Sequence, residues 1–181
     1  MICTCWHSYW ARLMAKWWGV RLGGACDFMG RPRFKRHPGS RIIIGRNCKF
    51  NSSPASNWIG VNRPCMISTL KEGAELTIGE NCGLSGTVIA CAERITLGRN
   101  VRCGANTLIN DTDWHTDDPR TGTDAPVEIS DNVWLGVNVT VLKGVTIGEG
   151  TMVGAGSLVT TSLPANVVAA GVPARVIRSL E

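Results

Sequence analysis

Residues 129–164 read ISDNVW, LGVNVT, VLKGVT, IGEGTM, VGAGSL and VTTSLP, six consecutive hexads headed by Ile129, Leu135, Val141, Ile147, Val153 and Val159. The fourth residue after each head, Val133, Val139, Val145, Thr151, Ser157 and Leu163, is also small or apolar. A period of six fits neither the 3.6 of an α-helix nor the plain alternation of a strand closed by a hairpin. It fits a parallel β-helix, in which short strands and corners wind round one axis and each turn buries its inward residues against the next. Gly136, Gly148 and Gly154 take second positions, where a tight corner tolerates a residue without a Cβ. A β-sandwich of valine-rich strands gives no reason for six hexads in register.

The period extends towards the start of the chain. Leu97 (LGRNVR) and Cys103 (CGANTL) keep it, and so do Ile78 (IGENCG) and Leu84 (LSGTVI) after a slip of one residue, which predicts a bulge at a corner near residues 91–94. Residues 42–45 open the first predicted coil, and residues 51–74 have no assignable phase. Ile109 and Ile129 stand 20 residues apart, separated by NDTDWHTDDPRTGTDAP. That insert is polar and punctuated by Pro119, Gly122 and Pro126, so it should stand off the coil as a loop. It holds His115, the only histidine between residues 41 and 163.

Three segments follow. Residues 1–40 are expected to be an amphipathic helix and the basic linker GRPRFKRHPGS. Residues 41–163 are the repeat β-helix with the inserted loop 110–126, and residues 164–181 are a cap made of a strand and a short helical end. In the first segment Trp6, Trp10, Leu13, Met14, Trp17 and Trp18 fall at helical spacing, with Arg12 and Lys16 among them. Such a stripe serves either to close the open end of a β-helix or to contact the inner membrane surface as a peripheral, interfacial helix.

The 181 residues, 44% of them hydrophobic, suit one domain with its own core. Charge is unevenly placed: residues 1–50 carry a balance of +9 and the remainder −4, so the front end suits an anionic surface or a solvated basic face. Of eight cysteines, Cys48, Cys82 and Cys103 take inward positions and read as buried free thiols. Cys3 and Cys5 lack a second pair at zinc-site spacing, and no metal site is expected. With no secretory segment and no apolar run near 18 residues, a reducing cytoplasm is the expected compartment.

The stretch PVEISDNVWLGVNVTVLKGVTIGEGTMVGAGSLVTTSLPANVVAAGVPARVI resembles the second half of the galactoside and maltose O-acetyltransferases, hexapeptide-repeat acyltransferases. DTDWH falls where that family keeps its catalytic histidine, and HPGSRIIIG resembles a branch acting on bacterial surface-polysaccharide sugars. The resemblance spans about residues 41–181. It implies an all-β, left-handed parallel β-helix with a short N-terminal helix and a C-terminal cap. It also implies a homotrimer with acetyl-CoA held between subunits, a sugar acceptor, and no nucleic-acid partner. The period itself does not give the hand, because parallel crossovers are otherwise right-handed in about 98% of cases.

The resemblance places Ser85 where the family has an asparagine near the acceptor; serine still donates one hydrogen bond. It places Glu93 at an acceptor contact and assigns CoA to Ala155, Thr160, Thr161, Arg175 and Arg178. Where Thr161 stands the family often has lysine, which shifts phosphate binding towards the arginines, whose planar forks suit it. Trp134 ends its hexad at an outward position, to wall the groove or to pack in a trimer.

Acyl transfer from a thioester to a hydroxyl needs a base for the alcohol proton and donors for the oxyanion. A loop histidine suits the first task, because imidazole ordinarily titrates near neutrality. Asp111 and Asp113 serve either to orient that ring and contact the acceptor or to cap turns within the loop. A carbonic anhydrase of this fold needs three histidines and a serine acetyltransferase a second one, and neither pattern is present. N-acetylation of an amino sugar, and a scaffold without catalysis, stay as the alternatives.

Overall fold

The computed structural model describes residues 2–115 and 117–180, with side chains described from residue 6 onward. Three parallel sheets form the faces of a triangular prism, around which the chain winds as a left-handed β-helix. The first face stacks Arg21–Leu22, Arg41–Ile44, Glu75–Ile78, Arg94–Leu97, Val127–Ile129 and Thr146–Ile147. The second stacks Asp27–Gly30, Lys49–Ser52, Gly83–Ser85, Arg102–Cys103, Trp134–Leu135 and Met152–Val153. The third stacks Arg33–Lys35, Met66–Thr69, Val88–Cys91, Leu108–Asn110, Thr140–Val141 and Leu158–Val159. Each coil visits the faces in this order, so neighbours within a sheet belong to successive coils.

All six hexad heads are buried, as are the six residues four places after them. The two inward positions per hexad thus build one continuous core. Corners impose a second rule. The fourth hexad position is left-handed at Asn132 (φ 61°), Asn138 (56°), Gly144 (73°), Gly150 (69°) and Gly156 (71°), a conformation only asparagine and glycine adopt at little cost. The glycines at second positions 136 and 148 have a different reason. A Cβ on Gly136 would sit 2.6 Å from the backbone nitrogen of Ala155, because successive corners touch through their main chains.

The structure corrects the expected boundaries. Residues 21–35 are a complete coil and not a linker, with Leu22, Phe28 and Phe34 six residues apart and Phe28 stacked on Phe50 at 5.0 Å. The outward basic residues Arg31, Arg33 and Lys35, with Pro32 at the buried position four after Phe28, hide this period in the sequence. Residues 53–65, within the stretch without a phase, leave the coil between the second and third faces and include the short 3₁₀ turn Pro54–Ser56. The one-residue slip lies at Ala92 and Glu93, between Val88–Cys91 and Arg94–Leu97. At the end of the chain Val167–Gly171 joins the second face and pairs antiparallel with Ala174–Ser179, where a short helical end was expected.

The helix Ile2–Trp17 closes the other end of the prism. Ala11 and Ala15 are buried against the first coil, Ser8 Oγ accepts from Phe28 N (3.3 Å), His7 Nδ1 accepts from Gly30 N (3.3 Å), and Arg12 donates to Cys26 O (3.0 Å). These bonds satisfy main-chain groups that would otherwise form an open sheet edge. Cys26, Cys48 and Cys82 stack at one corner, their thiols donating to the carbonyls of Gly45, Gly79 and Gly98 (3.3, 3.2 and 3.1 Å). Cys65, Cys91 and Cys103 are also buried and free, and burial pushes the Cys103 thiol up to about 12. The side chains of Cys3 and Cys5 lie outside those described.

Leu135→Ala should therefore lower unfolding stability by roughly 2–5 kcal/mol, the cost of emptying a core site. Glu128→Ala, at an exposed position of the neighbouring strand, should stay within about 0.5 kcal/mol. Urea unfolding followed by circular dichroism measures both.

Candidate active site

The candidate site residues gather at two of the three edges of the prism. The insert 111–126 leaves the coil at the corner between the third and first faces. Its base is closed by main-chain bonds from Ala125 N to Asp111 O and from Gly144 N to Ala125 O, both 3.0 Å. Asp111 is fully buried, and its carboxylate accepts from Ala92 N (2.6 Å) and Glu93 N (2.8 Å). Both oxygens are thus committed to the slipped corner. This corrects the acceptor-contact reading: Asp111 caps a turn.

Above this base the loop displays His115. Trp114 takes a left-handed φ of 69°, and its N–H donates to Thr112 Oγ1 (3.2 Å). The His115 main chain donates to Asp113 O (2.8 Å) and accepts from Asp118 N (3.0 Å) and Thr121 Oγ1 (2.9 Å), while the side chain is exposed. Fixing the backbone while leaving the imidazole in solvent suits a group that must meet a substrate.

The Asp113 carboxylate turns to Lys143 Nζ (2.6 Å) and Gly122 N (3.2 Å). Among the described residues it makes no hydrogen bond to the His115 ring, so it anchors the loop and does not orient the imidazole. The Lys143 ammonium holds the Asp113 carboxyl below its usual range. The pair therefore persists as pH falls to the ordinary aspartate range, about 3.9, and is lost only below it. A second anchor joins Lys71 to Asp124. Glu93, Thr160 and Thr161 share this edge and are exposed.

Ser85 lies elsewhere, at the corner between the second and third faces. It is buried, and its Oγ accepts from Asn51 Nδ2 (3.0 Å) and Asn57 Nδ2 (3.2 Å), which leaves its own O–H to donate. Asn57 belongs to the loop 53–65, which Asn106 fastens: its Nδ2 donates to Gly60 O (2.8 Å) and its Oδ1 accepts from Asn62 N (3.1 Å). Beside this loop a cavity of about 380 Å³ brings together Asn57, Ile59, Trp134, Met152 and Ala155.

A single row crosses the second face from Trp134 through Met152 and Val168 to Arg178. Arg175, on the same closing strand, pairs with Ala170. Both arginines are exposed, and among the described residues neither forms an ion pair.

The structure thus unites Trp134, Ala155, Arg175 and Arg178 with Ser85 on the second face and its far edge, and leaves Thr160 and Thr161 with His115 on another. Sequence reading missed Asn51, Asn57 and Ile59 because residues 51–74 had no phase, and it passed over Met152, the outward last residue of its hexad, although Trp134 holds the same position one coil earlier. It also missed Lys143, although that residue follows Ala125 by 18, one whole coil.

Residues 126–161 match the family model described as bacterial transferase hexapeptide (six repeats). That stretch of the chain carries hexapeptide repeats. Over 103 residues, 50% of this chain and 53% of the relative, it is 42% identical to a candidate lipopolysaccharide biosynthesis O-acetyl transferase, WbbJ, of Escherichia coli K12. Among solved structures it is similar to a galactoside acetyltransferase in complex with coenzyme A (26% identity, TM-score 0.58, covering 94% of this chain and 69% of that one). It shares its fold with an N-acyltransferase from Bacillus cereus (22% identity, TM-score 0.71, covering 92% and 87%). The chain spans about half the length of the curated relatives it matches.

If Lys143 pins the loop through Asp113, Lys143→Met should increase trypsin cleavage after Arg120, an exposed loop residue, several-fold under native conditions with the thermal midpoint nearly unchanged. Cleavage at the wild-type rate would show that the pair does not hold the loop.

Proposed function

We propose that this protein is an acetyl-CoA-dependent O-acetyltransferase acting on a sugar hydroxyl, with His115 as general base and an active site shared between copies in a homotrimer. The observation that carries this reading is the division of the candidate site between two edges of one prism. His115, Asp113 and Glu93 stand at one edge, and Ser85, Trp134 and Ala155 lie on the second face and its other edge. Copies packed edge to edge around a threefold axis would set the His115 loop of one against the groove of the next.

The row Trp134, Met152, Val168 and Arg178 spans three strand spacings, about 14 Å, and passes from apolar side chains to an arginine without an ion pair among the described residues. This suits a long ligand with an apolar arm and a phosphate end. The galactoside acetyltransferase solved with coenzyme A supports the same assignment. Acetyl-CoA supplies a thioester-activated acetyl group. At the acceptor, His115 takes the hydroxyl proton on an imidazole nitrogen and delivers it to the departing sulfur. The free O–H of Ser85 offers a donor to the developing oxyanion, and Glu93 is assigned to the acceptor sugar. Asp113 acts through the loop anchor.

The lipopolysaccharide relative supports a hydroxyl acceptor in surface-polysaccharide biosynthesis. The amine of an amino sugar would use the same base. A screen of sugars and nucleotide sugars with acetyl-CoA, read as free thiol, decides between them. A trimer that neither binds nor consumes acetyl-CoA would be a scaffold.

With an acceptor in hand, His115→Ala should lower kcat by about 10²–10⁴ with little change in KM for acetyl-CoA, while light scattering still reports a trimer. Activity within about threefold of wild type would remove His115 from the mechanism, and a fully active monomer would remove the shared site.

Arg175→Ala and Arg178→Ala should instead raise KM for acetyl-CoA more than they lower kcat, the signature of lost uniform binding. Unchanged kinetics in the double variant would place the phosphates elsewhere.

A further inference from the structure

The helix Ile2–Trp17 has two apolar faces, and the fold uses one of them. At about 100° per residue, Ala11 and Ala15 point into the coil end, whereas Trp6, Tyr9, Leu13 and Trp17 fall within roughly 80° of arc on the opposite side. Those four are 58%, 66%, 50% and 81% exposed. A cap whose sole task is to close a repeat array carries a polar outer face for solubility. This cap carries three aromatic rings and a leucine.

The surroundings of the stripe are cationic. Arg12 and Lys16 are exposed on one flank of the helix, and Arg21, Arg31, Arg33 and Lys35 are exposed on the first coil beside it. Asp27 is the single acid among residues 1–50. None of these six cations forms an ion pair among the described residues. On the other flank the Arg31 guanidinium sits 5.8 Å from the centroid of the half-buried Trp10 ring. There it borders a groove of about 600 Å³ that His7 and Arg33 also line.

We propose that this end of the protein lies on an anionic lipid bilayer, with Trp6, Tyr9, Leu13 and Trp17 at the boundary between headgroups and acyl chains and the surrounding cations on headgroup phosphates. Tryptophan and tyrosine favour that boundary because their rings are apolar and their edges polar. A one-sided apolar stripe with basic flanks is the pattern of helices that lie in the interface plane. Unpaired cations around an apolar stripe complement a surface that is negative and greasy together. Among the described residues no helix is long and apolar enough to cross a membrane.

The test is co-sedimentation of the full chain with phosphatidylcholine vesicles, with and without phosphatidylglycerol. Binding should be at least about tenfold tighter to the anionic vesicles and should weaken as salt rises from about 0.1 M towards 1 M. Tryptophan emission should shift to the blue on binding. The triple variant Trp6→Ser, Leu13→Ser, Trp17→Ser should lose at least about tenfold in affinity while keeping the wild-type circular dichroism spectrum. Arg21→Glu with Lys35→Glu, which leaves the stripe intact, should weaken binding to anionic vesicles alone. No binding, equal binding to neutral vesicles, or a triple variant that binds like wild type would overturn the proposal. So would stripe-dependent growth of the assembly in light scattering without vesicles, which would identify a second copy as the occupant.

Discussion

Main-chain hydrogen bonds between successive coils set the terms for everything else in this molecule. Trp134 N donates to Thr151 O (3.0 Å), Gly136 N to Val153 O (2.8 Å) and Gly98 N to Ile129 O (2.7 Å), each bond joining one coil to the next. Strands at this separation bring their corners into contact, so a corner must turn without a Cβ in the way. That requirement places glycine at positions such as 136 and 148, while the left-handed turn of each corner separately places asparagine or glycine at fourth positions. It leaves the prism two unsatisfied ends, one closed by the helix Ile2–Trp17 and the other by the hairpin ending at Ser179.

The same constraint decides where extra chain is tolerated. A strand cannot take additional residues without breaking register with both neighbouring coils. Both large insertions, residues 53–65 and 111–126, therefore leave at corners, and both are tied down by polar side chains. Asn106 fastens the first, and Lys71 and Lys143 fasten the second. Asp111 links two irregularities, because its carboxylate holds the slipped corner at Ala92 and Glu93 while its carbonyl closes the base of the His115 loop. A slip of one residue, incidental in the sequence, is structurally part of the loop's foundation.

Legibility followed regularity. Residues 129–164 state the fold openly, since each coil repeats the same inward pair and corner chemistry. Leu22, Phe28 and Phe34 keep the period too, but aromatic heads and outward basic residues made the first coil look like a linker. His115 was identifiable as the lone histidine in a polar insert, whereas the Ser85 hydrogen bonds to Asn51 and Asn57 were not. Those partners come from a stretch whose phase is broken by the 53–65 loop. Asp111 and Asp113 look equivalent two residues apart, yet one is buried on backbone amides and the other exposed on a lysine.

By itself the sequence determined the repeat, the inward residues, the corner at which the chain slips and the loop that carries the histidine. These are local properties, fixed by a six-residue period that each coil satisfies through its own side chains. The tertiary structure alone decided which edge each candidate residue occupies, because an edge is defined by how many residues each preceding insert removes from the coil. It also decided that the helix Ile2–Trp17 spends one apolar face on the prism and leaves the other uncovered. Sequence spacing records one tryptophan-rich stripe, but only packing against the first coil determines that Trp10, Met14 and Trp18 meet the core while Trp6, Leu13 and Trp17 meet solvent.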